Sequence, residues 1–342
     1  MNAAGAKVLL ADIGGTNARF ALADPAASMP LLADTIRTAR VASFDSLADA
    51  AHDYLQATGA RVQRGVFAVA GPVDGDEVRM TNHRWRVSAS QLGQALQLDT
   101  LQLVNDFAAQ AMALPLLRQG DLVPLGGPAR PVDVDHALPG TCVVLGPGTG
   151  LGVGALLRRE GRWLPLATEG GHAGFAPETA EEIAILQRLS ARFGRVSNER
   201  LLSGDGLVNL HRALGEIAAA DGSHADDPGV QPAAITAAAA AGDPHCVHAV
   251  ELFCALLGVV AGDLALSFGA WDGVFISGGM LPHVLENLQA SRFRARFEGK
   301  GRYAEALSRV PTLAVMHPQP GLLGAAAFVL ADAASANARV AP

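Results

Sequence analysis

The sequence predicts an α/β protein built from two similar halves that face one another across a cleft, and three observations carry that expectation. Residues 8–22, VLLADIGGTNARFAL, read as an apolar strand, a Gly-Gly-Thr turn and a second apolar strand. Residues 142–157, CVVLGPGTGLGVGALL, repeat that plan about 130 residues later, although the letters barely align. Each hairpin opens a stretch in which strand-like runs are followed by helical ones.

The remaining elements follow in order. Residues 65–71 (GVFAVAG) and 101–106 (LQLVND) are short apolar runs ending in turn residues, the pattern of buried strands. FAAQAMALPLL after them is helical until Pro115, and the Pro-, Gly- and Asp-rich residues 122–140 place a domain boundary near residue 117. In residues 180–194, Ile183, Leu186, Leu189 and Phe193 form a helical stripe that closes on Gly194. Residues 221–232 are a polar turn cluster and the Ala-rich run after them ends at 242–244, so this stretch reads as an exposed excursion. Residues 246–270 predict one long apolar helix, in which His248, Glu251 and Asp263 argue for a buried helix over a membrane span. Residues 321–334 predict an apolar helix after Pro320, placed to fold back onto the first half.

Composition narrows the function. The chain has 342 residues, 50% of them hydrophobic and 17% charged, with a formal net charge of -7 and a pI near 5.8. No Lys or Arg run exceeds a pair, so nucleic acid and anionic membrane are not expected partners and a small molecule is. The apolar run before Asp12 is too short for the core of a signal peptide, which predicts a cytoplasmic protein. Three cysteines, Cys142, Cys246 and Cys254, lie in apolar contexts and read as reduced core thiols.

Candidate chemistry sits at the turns. In both hairpins the glycines let backbone approach a ligand, and successive N–H groups can converge on phosphate oxygens. No GxxxxGK[ST] occurs, and the first turn leads into a strand where a dinucleotide site needs a helix. Asp12 ends the first strand, where a carboxylate either holds the waters of a nucleotide-bound Mg ion or caps the turn. Asn105 and Asp106 end an apolar strand just before a helix, as polar groups on a cleft floor or as a helix cap. ATEGGHAGFAP (167–177) sets Glu169 and His172 around two glycines, a pair able to accept from and donate to adjacent sugar hydroxyls. Glu199 lies in or just before the first turn of a helix, where its charge suits the dipole alone; spacing does not decide its role. Ser277, Gly278 and Gly279 follow an apolar strand and offer a ledge for an adenine ring or a ribose, or a plain strand-to-helix turn.

Taken together, ADIGGTNARF, AGPVDGDEVRMTNHRW, LVNDFAAQAMALP, LGPGTGLGVG, EGGHAGFAP, ERLLSGDGLVNL, VFISGGM and PGLLGAA resemble the bacterial glucokinases in family order over nearly the whole chain. That resemblance implies the two-lobed fold of the hexokinase, actin and Hsp70 superfamily, with duplicated ribonuclease H-like domains. The smaller domain would comprise residues 1–117 with 320–342, and the larger one residues 118–319. The activity implied is ATP-dependent phosphorylation of the glucose 6-hydroxyl, the first step of glycolysis, with MgATP as donor in a homodimeric enzyme. By the same resemblance Asp106 is the catalytic base, and Asn105, Glu169, His172 and Glu199 contact glucose. Ala11, Asp12, Ile13, Gly14, Gly15 and Thr16 form one phosphate loop, with Asp12 reaching Mg through water. Residues 146–150, including Gly148 and Thr149, form the other, and residues 277–280, with Gly278 and Gly279, lie near the adenosine.

A related group of repressors and kinases shares the EGGH pattern but adds a zinc-binding cysteine cluster, and this chain has no Cys between Cys142 and Cys246, so zinc is not expected. The alternatives are a kinase for another hexose and a non-catalytic sugar sensor. The latter would need a DNA-binding helix pair ahead of the first strand, where the sequence has no basic segment.

Overall fold

In β1 (Val8–Ile13) apolar residues occupy both faces, because the strand is sandwiched between two cores. Leu9, Ala11 and Ile13 join Phe20, Tyr54 and Phe67 on one side, while Val8 and Leu10 join Val66, Ala68 and a C-terminal helix on the other. The computed structural model describes residues 7–80, 85–129, 140–219 and 229–340.

β1 turns tightly into β2 (Asn17–Ala23), and β3 (Leu31–Arg40) pairs antiparallel with β2. Helix α1 (Leu47–Thr58) starts at Ser46, whose hydroxyl accepts the Asp49 N–H, and stops at Gly59, whose φ of 64° is the left-handed cap expected of glycine. β4 (Arg64–Val69) then lies parallel to β1. A small meander of β5 (Val73–Asp74), β6 (Glu77–Arg79) and β7 (Arg86–Ser88) leads to α2 (Ala89–Ala95), and β8 (Thr100–Asn105) completes a sheet ordered β3-β2-β1-β4-β8. Phe20 stacks on Tyr54 at 5.5 Å between ring centroids and meets Phe67 edge-on at 6.3 Å, contacts worth about 1 kcal/mol each beyond their burial. Helix α3 (Asp106–Ala113) follows β8, and Pro115 sits in the 3₁₀ turn that ends it.

The second sheet repeats the plan. β9 (Leu122–Gly126) is followed by β10 (Gly140–Pro147), β11 (Leu151–Arg159) and β12 (Arg162–Thr168), and later by β13 (Val274–Ile276) and β14 (Thr312–Val315). The order is β12-β11-β10-β13-β14-β9, with β13 parallel to both β10 and β14. Its first five positions match β3-β2-β1-β4-β8 strand for strand, so the pseudo-repeat read from two glycine turns is a duplicated sheet topology. Antiparallel β9 is the addition.

By contact the chain forms two units, Met1–Gln119 with Gly154–Thr168 and His317–Pro342, and Gly120–Val153 with Glu169–Met316. A boundary at residue 117 leaves residues 154–168 with the later part of the chain. They group with the first unit because β12 and Gly154 pack on α3.

The second unit carries α4 (Ala180–Phe193), α5 (Gly204–Ala218), α6 (Pro232–Ala240), α7 (Pro244–Phe268), α8 (Leu281–Ala290), α9 (Phe293–Glu298) and α10 (Ala304–Ser308). α7 has the length and apolar content of a membrane span, but 78% of its most apolar stretch is buried among neighbouring helices, as in a core helix. α11 (Pro320–Val340) returns to the first unit, where Leu322, Ala325, Ala326 and Val329 cover the β1/β4 face.

Two sequence expectations need correction. In α4 the buried stripe is Glu182, Ile185 and Leu189, whereas Ile183 is 47% exposed. Glu182 goes inside because Arg296 of α9 meets it at 2.8 Å, an ion pair that hydrophobic periodicity alone does not foresee. The second is the excursion at 221–243: largely exposed over its described residues, it nonetheless forms α6 at 232–240, with Ile235 and Ala239 buried against α5 and α7. Residues 221–228 of that stretch lie outside the described residues, as do 81–84 of the AGPVDGDEVRMTNHRW motif and 130–139 of the Pro-rich segment.

Candidate active site

Parallel pairing sets one edge of the first sheet. Ile13 is in register with Val69, and Val69 with Asn105, so the ends of β1, β4 and β8 form a row about 10 Å long from β1 to β8. The first glycine turn and the Asn105-Asp106 pair therefore emerge along the same edge.

At the β1 end, Gly14 donates its N–H to Asn17 O at 3.0 Å, and Thr16 O accepts the Val41 N–H at 3.0 Å. Ala11 and Ile13 are fully buried and their side chains belong to the core, so only backbone is available for a ligand at those two positions. Asp12 is different. It stands opposite Arg19 in the hairpin register, with Arg19 Nη1 at 3.4 Å from its Oδ2. The first turn of α11 covers it, and a Cβ at Gly321 would fall 2.6 Å from the Asp12 carboxyl carbon. Burial pushes the Asp12 carboxyl above the ordinary carboxylate value, and the Arg19 charge opposes that shift. A partly desolvated carboxylate of this kind suits a cation brought in by a ligand.

At the β8 end the structure decides which residue is the cap. Asn105 Oδ1 accepts the N–H groups of Phe107 and Ala108, both at 3.0 Å, and its amide donates to Gly71 O at 3.2 Å. Asn105 is 6% exposed and its carbonyl is committed to the helix start. Asp106 is the first residue of α3, half-buried, with Oδ1 at 3.0 Å from the Phe107 nitrogen. The backbone beneath it is closely held. A Cβ at Gly154 would meet Phe107 O at 2.5 Å, and one at Gly324 would collide with the Ala109 carbonyl. Both glycines lie in motifs of the sequence, Gly154 in LGPGTGLGVG and Gly324 in PGLLGAA, but nothing local says what either packs against.

In the second unit the glycine turn at 148–150 closes with Gly148 donating to Gly150 O at 2.8 Å. Residues 277–280 lie beside it. Ser277 N–H donates to Leu145 O at 2.9 Å, Met280 N–H donates to Pro147 O at 3.1 Å, and Gly278, at φ 97°, packs where a side chain would strike Pro147 O. The two segments expected to meet the nucleotide are thus joined by hydrogen bonds, and nothing lies within 4 Å of a Cβ built at Gly279.

The two loops that carry Glu169, His172 and Glu199 run side by side. Gly174 bridges Ser197 in antiparallel fashion, and Asn198 N–H donates to Ala173 O at 2.9 Å, so residues 169–175 run beside 196–199. Glu169 precedes the 3₁₀ turn Gly170–His172, and Glu199 lies within another, Asn198–Arg200, ahead of α5. His172 Nδ1 is 4.0 Å from Glu199 Oε1. Two carboxylates and an imidazole on adjoining loops are residue types that can accept from and donate to hydroxyls. Among the described residues no group of three or more His, Cys, Asp or Glu is placed to hold a metal ion.

Comparison with known proteins identifies the family. A family model described as Glucokinase matches residues 9–332. The glucokinase of Xanthomonas oryzae pv. oryzae (strain MAFF 311018) is 58% identical over 332 residues, 96% of this chain and 97% of that protein. The glucokinase of Stenotrophomonas maltophilia (strain R551-3) is 56% identical over 334 residues, 97% of each chain. Among solved structures, a glucokinase from an Antarctic psychrotroph superposes with a TM-score of 0.80 at 34% identity, over 95% of this chain and 99% of that one. The match runs through both sheets and every loop described above, and on that full-length agreement the chain belongs to the glucokinase family.

Proposed function

We infer that this protein is a sugar kinase that transfers the γ-phosphoryl group of ATP to the 6-hydroxyl of glucose. The observation that carries the reading is identity above 55% to glucokinases across 96% of the chain or more, with nearly the full length of the relatives matched in turn.

Residue roles follow from the local geometry. Phosphoryl transfer through a loose transition state asks chiefly for positioning and charge stabilisation, with one base to accept the hydroxyl proton. Asp106 supplies that base, and the Asn105 cap together with Gly154 and Gly324 hold its backbone in place. Glu169, His172 and Glu199 take the remaining sugar hydroxyls. A sugar lacking one of them leaves a carboxylate or imidazole without its partner, which is the basis for discrimination. The turns at 11–16 and 146–150 offer backbone N–H groups to phosphate oxygens, with residues 277–280 beside the nucleoside. Asp12 is the residue that would hold Mg, through water. Bound with the nucleotide, that ion would neutralise charge on the phosphate oxygens. Among the described residues no group of three or more metal-ligating side chains is present, which fits an ion carried by its ligand better than a resident one. A cytoplasmic homodimer is the assembly this reading implies.

The test is a coupled assay of the purified chain with MgATP and a panel of hexoses. Glucose 6-phosphate formation is expected with glucose, and Asp106→Asn is expected to lower kcat about 1000-fold while glucose still binds. Near-normal turnover in that variant would exclude Asp106 as the base.

A further inference from the structure

One residue expected to meet the sugar, Glu199, also grips the second glycine turn. Leu151 is where that turn re-enters β11. Its N–H donates to Glu199 Oε2 at 2.9 Å, and its carbonyl lies so close under Gly171 that a Cβ there would collide with it. Gly150, one residue earlier, rests against the same Glu199 carboxylate and leaves no room for a side chain. The other edge of the turn is held by backbone alone: Gly148 O accepts the Gly204 N–H at 2.9 Å and Pro147 O accepts the Met280 N–H. One edge is therefore fixed by main chain. The other depends on one carboxylate whose second oxygen points toward His172.

We propose that Glu199 is a positioning residue for the turn at 146–151 as well as a sugar contact, so that sugar and nucleotide binding are coupled through the backbone of Leu151. The proposal rests on reading 146–150 as a phosphate loop of a glucose kinase. A carboxylate offers two oxygens and several lone pairs, so Glu199 can keep the Leu151 N–H on Oε2 while Oε1 takes a hydroxyl. Sugar binding then restrains the side chain that restrains the turn. Linkage requires the effect to be mutual: the factor by which glucose tightens the nucleotide equals the factor by which the nucleotide tightens glucose.

The deciding measurement is made without sugar. A non-hydrolysable ATP analogue with Mg is titrated calorimetrically into the full-length wild type, Glu199→Ala and Glu199→Gln, each first checked for folding by circular dichroism and thermal melting. A side chain that only touches sugar leaves the sugar-free Kd unchanged. The proposal expects Glu199→Ala to raise it about 10-fold and Glu199→Gln, whose amide oxygen still accepts the Leu151 N–H, to stay within about 3-fold of wild type. Gly150→Ala, which displaces the carboxylate without removing it, should behave like Glu199→Ala, and it carries the comparison if the alanine variant does not fold. Wild-type affinity in Glu199→Ala or Gly150→Ala, or equal loss in the Ala and Gln variants, overturns the clasp. A wild type that binds the analogue but not glucose refutes the assigned substrate instead, and leaves the sugar-free comparison intact.

Discussion

The two sheets share a strand order and differ in how their surroundings are held. In the first unit, helices reach the sheet and one another through glycines: Gly324 of α11 meets the Ala109 carbonyl of α3, and Gly154 of β11 meets Phe107. In the second unit, Gly258 and Gly262 of α7 pack likewise on the Phe293 and Phe297 carbonyls of α9, and ions are added to that packing. Arg296 joins Glu182 at 2.8 Å and Glu178 at 3.1 Å, while Lys300 joins Glu178 at 3.3 Å and Asp263 at 2.7 Å, tying α4, α7 and α9 together. The turns differ likewise. The first stands beside a charge, Asp12, and the second is gripped from both sides by neighbouring loops. One topology thus accommodates two differently held turns, because strand order fixes where a turn emerges and leaves open what surrounds it.

The largest expected effect breaks the ionic half. Glu182 is 1% exposed, so Arg296→Ala leaves a carboxylate buried without its cation and should cost about 3–5 kcal/mol in urea unfolding. Replacing both partners, with Arg296→Met and Glu182→Leu, should restore most of that loss. If the single variant is as stable as the wild type, the network is not what joins these helices.

Close glycine packing should give way next. Gly324→Ala places a methyl on the Ala109 carbonyl, which must move, at a cost of about 2–3 kcal/mol. Because α3 carries Asp106, kcat should fall as well, and an unchanged melting curve would show that α11 can slide aside.

A third prediction sets stability against activity. An ionised carboxylate whose pKa is raised by burial destabilises the folded state above that raised value. Below the ordinary value of 3.8, where folded and unfolded chains both carry the proton, the penalty vanishes. Asp12→Asn is therefore expected to gain about 1 kcal/mol at pH 7 and to lose that advantage as pH falls toward 4, while kcat drops on the order of 100-fold. Thermal melts across pH, set beside the kinase assay, check both signs.

How far this was legible in the sequence follows the same division. Both hairpins, strands β4 and β8, α7 and the return of α11 could be read, since apolar period and turn letters act locally. Asn105 and Asp106 could not be ranked as caps, because both residue types cap helices and only the hydrogen bonds choose between them. Arg19 could have been found, as it sits opposite Asp12 in a hairpin whose turn was recognised. Glu182 could not, because its partner lies over 100 residues away. Leu151 contributes an N–H and a C=O to the candidate site, and backbone groups leave no letter to recognise.

The two turns offer a finer comparison. A Cβ at Gly14 would come no closer than 3.6 Å to Asn17 O, an ordinary contact, while one at Gly150 would collide with the Glu199 carboxylate. In the ligand-free protein Gly14→Ala should thus gain a few tenths of a kcal/mol through a stiffer unfolded chain, and Gly150→Ala should lose about 1 kcal/mol. Equal shifts in Tm for both variants would mean that the second turn is as loosely held as the first.

The smallest effect concerns thiols, which separate the units cleanly. Cys142, Cys246 and Cys254 are the only cysteines of the chain; all lie in the second unit, and all are buried. Burial pushes the Cys246 thiol up to about 11 and Cys254 up to about 12, so almost none of these two is thiolate at pH 8. A colorimetric disulfide reagent should therefore label the native protein slowly and all three thiols at once after denaturation. The rate then reports opening of the second unit alone. Arg296→Ala should accelerate labelling, because it loosens the helices around Cys246 and Cys254, whereas Gly324→Ala should leave it nearly unchanged. Equal acceleration by both variants would mean that the two units open as one cooperative body, and the contrast between ionic and glycine packing would then have no separate consequence for stability.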